Sequence, residues 1–237
     1  MQRKHIVLAI CLLMTLLAVD IVAQTNMVRY TNDFRFRDGF YLNFEQVRNN
    51  SPIPQSRILT SIDPRSNRFF EEVTQLRTIT YFDDLGNSQE VATAQLWGYS
   101  RNGILHININ GTFNRITIVG SISHFVANIT TVHNRFYDPR FSPHGFHSPY
   151  GWGSPHGFHS PHWGSRNAVR TTELRQFLLD FNTGRVMEYN PNNVRMLLMS
   201  DPELHDEFSS LRNRRRQQLQ FSFIRRFNER YPLYLPR

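Results

Sequence analysis

The clearest alternation of apolar and polar positions runs from residue 77 to residue 127. Residues 77–82 (RTITYF) are β-branched and aromatic and predict a strand. A turn at 84–87 (DLGN) leads to a second predicted strand at 91–99 (VATAQLWGY). Asn102-Gly103 follows, a pair that readily takes the positive φ angles of a tight hairpin. In 104–109 (ILHINI) Ile104, His106 and Asn108 fall on one face and Leu105, Ile107 and Ile109 on the other. Asn110-Gly111 supplies another turn, and 113–119 (FNRITIV) and 122–127 (ISHFVA) predict returning strands. The pattern is that of an antiparallel meander with one packed and one wetter face.

The flanks are less regular. Residues 24–38 are polar and read as irregular, 39–47 (GFYLNFEQV) as a strand running into a short helix, and 49–54 (NNSPIP) as a structure breaker. Further on, 176–181 (QFLLDF), the turn 182–184 and 185–189 (RVMEY) predict a hairpin. Residues 192–199 (NNVRMLLM) suit a short helix. Ser200 with Glu203 three residues later has the form of a capping box opening the next one. Leu204, Phe208 and Leu211 lie at helical spacing, as do Leu219, Phe223 and Phe227, until Pro232 ends the run. The tail 231–236 (YPLYLP) reads as extended. These elements predict an α+β protein: an antiparallel β meander, a flexible insertion rich in His, Gly and Pro, and a C-terminal hairpin with helices. The regions are 1–23, 24–135 (mainly antiparallel β), 136–168 (the repeat linker) and 169–237.

Residues 1–23 have the three-part form of a cleavable signal peptide. Arg3 and Lys4 precede an apolar run through Val19, and Ala23 is a small residue at the expected cleavage point. A retained membrane anchor is the rival reading, opposed by the shortness of the run and by Asp20. Cleavage would remove Cys11 and Lys4, the only cysteine and the only lysine. The 27 basic residues less Arg3 and Lys4 leave 25 arginines, against 18 acids once Asp20 has gone, a net charge of +7. Such a chain has no internal disulfide and no Cys nucleophile, and no later apolar run reaches spanning length. Arginine pairs two-pronged with carboxylates and phosphates, so an anionic envelope component is one candidate partner and another envelope protein a second. A solvated basic surface accounts for the same charge.

Residues 136–165 carry an exact repeat: SPHGFHSP at 142–149 recurs at 154–161. His144, His147, His156, His159 and His162 are five of the nine histidines that follow the leader. Imidazole ligates zinc, copper and nickel, so weak binding of a divalent transition metal is one reading of the tract. Pro and Gly keep its H-x-x-H pairs off a helix, and no carboxylate lies within the repeat, which argues against a closed site. The aromatics Phe141, Phe146, Tyr150, Trp152, Phe158 and Trp163 permit stacking on sugars or nucleobases or a place at a membrane interface, and a linker grown by duplication is the plainer reading of both features.

Elsewhere, Arg212, Arg214, Arg215 and Arg216, followed by Arg225 and Arg226, form a candidate phosphate or headgroup site or the solvated side of an amphipathic helix. No nucleic-acid fold signature accompanies them, so no specific nucleic-acid partner is predicted. His106, His124 and His133 lie in or near the meander. No nucleophile elbow, glycine-rich phosphate loop or paired-carboxylate motif occurs, and no catalytic residue or bound cofactor is assigned. The adjacent pairs Asp83-Asp84 and Glu71-Glu72 point apart in an extended chain and make no dyad by themselves.

Three segments resemble a loosely defined group of uncharacterised secreted and envelope proteins of Bacteroidetes-type bacteria. They are 38–53 (DGFYLNFEQVRNNSPI), 96–126 (LWGYSRNGILHININGTFNRITIVGSISHFV) and 177–236, which opens FLLDFNTGRV and closes RRFNERYPLYLP. The resemblance implies envelope export, to the periplasm, the outer membrane or the exterior, and carries no activity with it. The His-Gly-Phe-His repeat departs from the group and reads as an insertion. The expectation is therefore an exported, non-enzymatic envelope or secreted protein. The alternatives are a metal-binding protein using the SPHGFHSP repeats and a hydrolase whose site is scattered along the chain.

Overall fold

The computed structural model describes residues 27–134 and 168–237. The proposed leader and the His tract lie outside the described residues. The fold is α+β. In chain order the strands are β1 (Met27–Arg29), β2 (Gly39–Tyr41), β3 (Ile58–Leu59), β4 (Thr78–Phe82), β5 (Ser88–Ala92), β6 (Gly98–Arg101), β7 (Ile104–Ile109), β8 (Thr112–Ile118), β9 (Ile122–Asn134), β10 (Ala168–Asp180), β11 (Val186–Glu188) and β12 (Tyr234–Pro236). The helices are α1 (Phe44–Arg48), α2 (Phe69–Thr74), α3 (Pro191–Leu197), α4 (Pro202–Ser210) and α5 (Asn213–Arg230). Seven strands form the main sheet in the order β11-β10-β9-β8-β7-β6-β2; β3-β4-β5 and β1-β12 form two smaller ones. No described helix is long and apolar enough to cross a membrane.

The meander forms where the turn chemistry places it. Asn102 and Gly103 take φ of 53° and 73°, and Asn110 and Gly111 take 53° and 83°, the mirror-image turn that matches strand twist. Asp38 clamps the first hairpin by accepting from the N–H groups of Asn102 and Gly103, both at 2.9 Å. On β7, Leu105 and Ile107 are buried as the alternation requires. The strand predicted at 91–99 is broken. Thr93 donates through its hydroxyl to the Leu76 carbonyl at 2.6 Å and starts a 3-10 turn. That turn hands the chain from the small sheet to the main one. The segment 24–38 is also more ordered than its polarity suggests: β1 pairs with β12, Val28 opposite Leu235, while Phe34 and Phe36 are buried edge-on at 5.2 Å.

Two apolar clusters hold the elements together. In one, Phe40, Phe69, Phe70, Val73, Leu96 and Tyr99 join the β2–β6 edge of the main sheet to α2 and the small sheet. In the other, Ile122 and Leu178 of β9 and β10 pack under Val194, Leu204, Phe208, Phe223 and Phe227 of the three C-terminal helices. The apolar stripes at 204–211 and 219–227 thus face the sheet. α4 is capped by Asp201 rather than Ser200: its carboxylate accepts from Leu204 N at 3.0 Å and also pairs with Arg230 at 2.9 Å, an ion pair that a serine hydroxyl could not make.

The chain divides into two compact units, Met1–Ala127 with Arg175–Arg237, and Asn128–Leu174. In the second, the described strand ends are tied by Thr130 to Thr172 at 3.0 Å and by the Thr131 hydroxyl to the Thr171 carbonyl at 3.3 Å. β9, which ends at Asn134, and β10, which begins at Ala168, are neighbouring strands of one sheet.

Candidate functional site

A cleft in the first unit has a volume of about 590 Å³. Its lining comes from five stretches: Met27 of β1, the end of α1, Ser121 just before β9, the turn after β10, and the chain from Pro232 to Pro236. Local sequence fixes each wall. α1 starts at Asn43, whose side chain accepts from Gln46 N at 2.9 Å, while Gln46 accepts in return from Leu42 N at 2.7 Å. The helix stops at Asn50, which takes the left-handed φ of 47°. Buried Asn50 then works in two directions. Its Oδ1 accepts from Arg37 N at 2.9 Å, and its Nδ2 donates to the Pro236 carbonyl at 3.1 Å. That second bond carries β12 to the end of α1.

The turn after β10 is shaped by Asp180, which accepts from Asn182 N at 3.0 Å and from the Thr183 hydroxyl at 2.7 Å. Gly184 closes it at φ 76°, and the Phe44 ring lies where a Cβ on Gly184 would stand. Phe44 meets Phe181 edge-on at 5.3 Å, so α1 and the turn form one packed corner. Arg48, Asn49 and Asn182 stand exposed at the rim; Phe181 and Leu235 are buried at the floor; Leu233 and Tyr234 form the far wall. Among the described residues Arg48 is the only charged one in the lining, and no acid pairs with it. Ser121, also in the lining, is engaged: its hydroxyl donates to the Tyr231 carbonyl and its own carbonyl accepts from Phe181 N at 2.9 Å. The site offers one guanidinium, two side-chain amides and an apolar, aromatic surface.

The residues singled out in the sequence have other positions. His144, His147, His156, His159 and His162 lie outside the described residues, as does the SPHGFHSP repeat. Among the described residues no three His, Cys, Asp or Glu side chains are grouped to hold a metal ion. His106 stacks on Tyr99 at 4.5 Å, nearly parallel, with Nδ1 3.1 Å from the Ile104 carbonyl. Its burial holds its pKa below the usual histidine value. His124 sits on the helix-covered face of β9, edge-on to Phe221 at 4.8 Å and to Tyr189 at 5.4 Å. Its Nε2 is 3.0 Å from Gln176 Oε1, and burial depresses its pKa against the opposing effect of that amide. Burial also pushes the Tyr189 phenol up to about 12. His133 lies on β9. Asp83 accepts from the N–H groups of Leu85 and Asn87, while Asp84 pairs with Arg57. Glu71 bonds Arg101 at 2.7 Å. The adjacent carboxylates serve separate partners.

The arginine run divides. Arg225 pairs with Glu229 at 3.0 Å; Arg226 makes a two-pronged bond to Glu207 at 2.6 Å on each oxygen; Arg230 reaches Asp201 and Glu203. Arg216 is half-buried, and its Nε is out of solvent without a protein partner. Arg212, Arg214 and Arg215 are exposed and have no acid partner among the described residues. Arg48, Asn49 and Asn182 were not singled out by sequence; the only local signal is the turn-forming character of the Asn-Asn and Asn-Thr-Gly steps.

Compared with known proteins, the chain matches no family model, no curated protein and no solved structure.

Proposed function

We propose that the chain is an exported, non-enzymatic binding protein of the envelope or secreted space, and that its cleft takes a small amphiphilic anion. One observation carries the binding assignment: among the described residues Arg48 meets no acid partner, and it borders a cleft lined otherwise by uncharged residues, most of them apolar or amide-bearing. A guanidinium of this kind favours a carboxylate or phosphate head group. Phe181, Leu233, Tyr234 and Leu235 suit an apolar body, and the amides of Asn49 and Asn182 suit polar atoms near the head. Export is supported by the charged, apolar and small-residue sequence of 1–23 and by the resemblance of 38–53, 96–126 and 177–236 to secreted proteins of Bacteroidetes-type bacteria. An anionic envelope component carrying an acyl or similar chain fits this reading.

Calorimetric titration of residues 24–237 with decanoate, decyl phosphate, decyl maltoside and acetate tests it. The two anionic amphiphiles bind; the neutral amphiphile and the tail-less anion do not. Arg48→Gln weakens binding of the anionic pair roughly ten- to a hundredfold, the range expected for one charged hydrogen-bonding group. Unchanged binding by that variant would remove the cleft from the assignment, and decyl maltoside binding as tightly as decanoate would remove the anion.

A further inference from the structure

The backbone of β12 is paired along one edge only. Tyr30 N–H donates to the Leu233 carbonyl at 2.7 Å, in the register that sets Val28 opposite Leu235. Hydrogen-bonded pairs alternate along an antiparallel ladder, so Leu235 turns its N–H and C=O toward β1, and Tyr234 turns both of its groups away. The Pro236 carbonyl, two residues on, also points away from β1: it accepts from Asn50 Nδ2 at 3.1 Å, just beyond the end of α1. The missing N–H of Pro236 falls on that same side, where it breaks no bond of the ribbon. The open edge of β12 therefore faces the α1 side of the cleft, where Arg48 and Asn49 stand. On this edge the Tyr234 N–H and C=O have no partner among the described residues.

We infer that the cleft takes an extended peptide ending in a free carboxylate, added to the open edge of β12 as a third strand of the β1–β12 sheet. The inference rests on the binding role given above to the cleft and Arg48, and it names the chemical class of the anion. The backbone of Tyr234 selects a peptide. It presents a donor and an acceptor side by side, and only another backbone returns an acceptor and a donor at the same spacing. An acyl chain has neither group, and a phosphate has no donor to give the Tyr234 carbonyl. Arg48 selects the carboxylate end, since its guanidinium has no acid partner among the described residues and stands at the rim beside this edge. Met27, Phe181 and Leu233 supply apolar lining for the side chains that an extended strand turns to one face. Strand addition also removes the open edge, which is otherwise left to water.

The test titrates residues 24–237 with acetyl-Val-Leu-Val-Leu, its C-terminal amide, the matching depsipeptide with esters in place of internal amides, and decanoate. Two variants accompany it, Tyr234→Ala and Tyr234→Pro. Both remove the ring; only proline removes the N–H, on the edge that β1 does not use. Thermal melting verifies that they fold, and the depsipeptide makes the same comparison from the ligand side should the proline variant not fold. The peptide acid binds, and its amide and the depsipeptide bind about tenfold more weakly. Tyr234→Pro binds the peptide about tenfold more weakly than Tyr234→Ala, while the two variants bind decanoate alike. Amide hydrogen exchange at Tyr234, followed by NMR, slows with the peptide and not with decanoate. A depsipeptide that binds as tightly as the peptide, or unchanged exchange at Tyr234, overturns strand addition, and decanoate binding then leaves the cleft assignment standing. An amide that binds as tightly as the acid overturns the carboxylate end. If neither decanoate nor the peptide binds the native chain, the cleft assignment itself falls and takes this inference with it.

Discussion

The side-chain amide of Asn228 hydrogen-bonds both backbone groups of Ile122, accepting from its N–H and donating to its C=O, each at 2.8 Å. A residue of α5 thereby takes the place of a neighbouring strand at the start of β9. Gly120 permits the approach, since a Cβ there would stand 2.5 Å from Asn228 Nδ2. Asn228→Ala leaves two backbone groups under the helix without partners and should cost about 2–4 kcal/mol, at roughly 1–3 kcal/mol per unsatisfied group. Gly120→Ala should cost nearly as much by displacing the amide. Urea denaturation of the single and double variants checks this: the double variant loses much less than the sum of the two. Additive losses would show that the two residues act separately.

Phe208 is fully buried and meets Phe223 edge-on at 4.9 Å, in the cluster that joins the helices to β9 and β10. Phe208→Ala should lower stability by about 3–5 kcal/mol, and Leu85→Ser, at a fully exposed turn, by less than about 0.5 kcal/mol. Chemical denaturation of both variants measures the contrast. A small loss at Phe208 would mean that the helices hold to the sheet by something other than this cluster.

Acid should weaken the fold in two stages. His106 and His124 are held below the ordinary histidine pKa, chiefly by burial. Around His106, Arg115 and Arg101 add to the depression, and the Ile104 carbonyl and Glu71 oppose it. As pH falls below about 6.5, the unfolded chain takes up protons that the folded histidines refuse. Stability is therefore complete above that pH, declines below it, and levels off once the depressed folded values are passed. The pKa of Asp201, lowered chiefly by the Leu204 N–H and also by Arg230, and that of Glu207, lowered chiefly by Arg226, add a second loss that begins only near the carboxylate range. Urea midpoints at pH 7.5, 6.5 and 5.5 should fall for the native chain and stay flatter for His106→Gln/His124→Gln. A native midpoint that does not move over this range would contradict the account.

Metal binding through His144, His147, His156, His159 and His162 has its own discriminating measurement. Calorimetric titration with zinc, copper and nickel should give heat with the intact chain and none once 142–164 is deleted. No heat from either protein, or equal heat from both, sinks that alternative.

The sequence was most legible where structure is decided locally. Asn102-Gly103 and Asn110-Gly111 carry their turns in their own backbone preferences, and the alternation in 104–109 declares which face of β7 is buried. It was least legible where a partner lies far along the chain. Thr93 breaks the strand predicted at 91–99 by bonding a carbonyl 17 residues earlier. Met27–Arg29 becomes a strand only because Tyr234–Pro236 comes alongside. Arg226 looked equivalent to Arg215 until Glu207, 19 residues upstream, proved to face one and not the other. The cleft was invisible for the same reason, since Arg48, Asn182 and Leu233 share no local pattern.

The bond from Asn50 to the Pro236 carbonyl closes a span of 186 residues. Contacts of such long range are entropically expensive to form early and tend to come late in folding. The residues this bond brings together, with the β1–β12 ribbon beside them, supply two walls of the cleft. The cleft is thus complete only once this contact has formed. Under the proposed function, ligand occupancy would then serve as a readout of complete maturation, since opening the β1–β12 ribbon removes walls of the cleft without touching the meander.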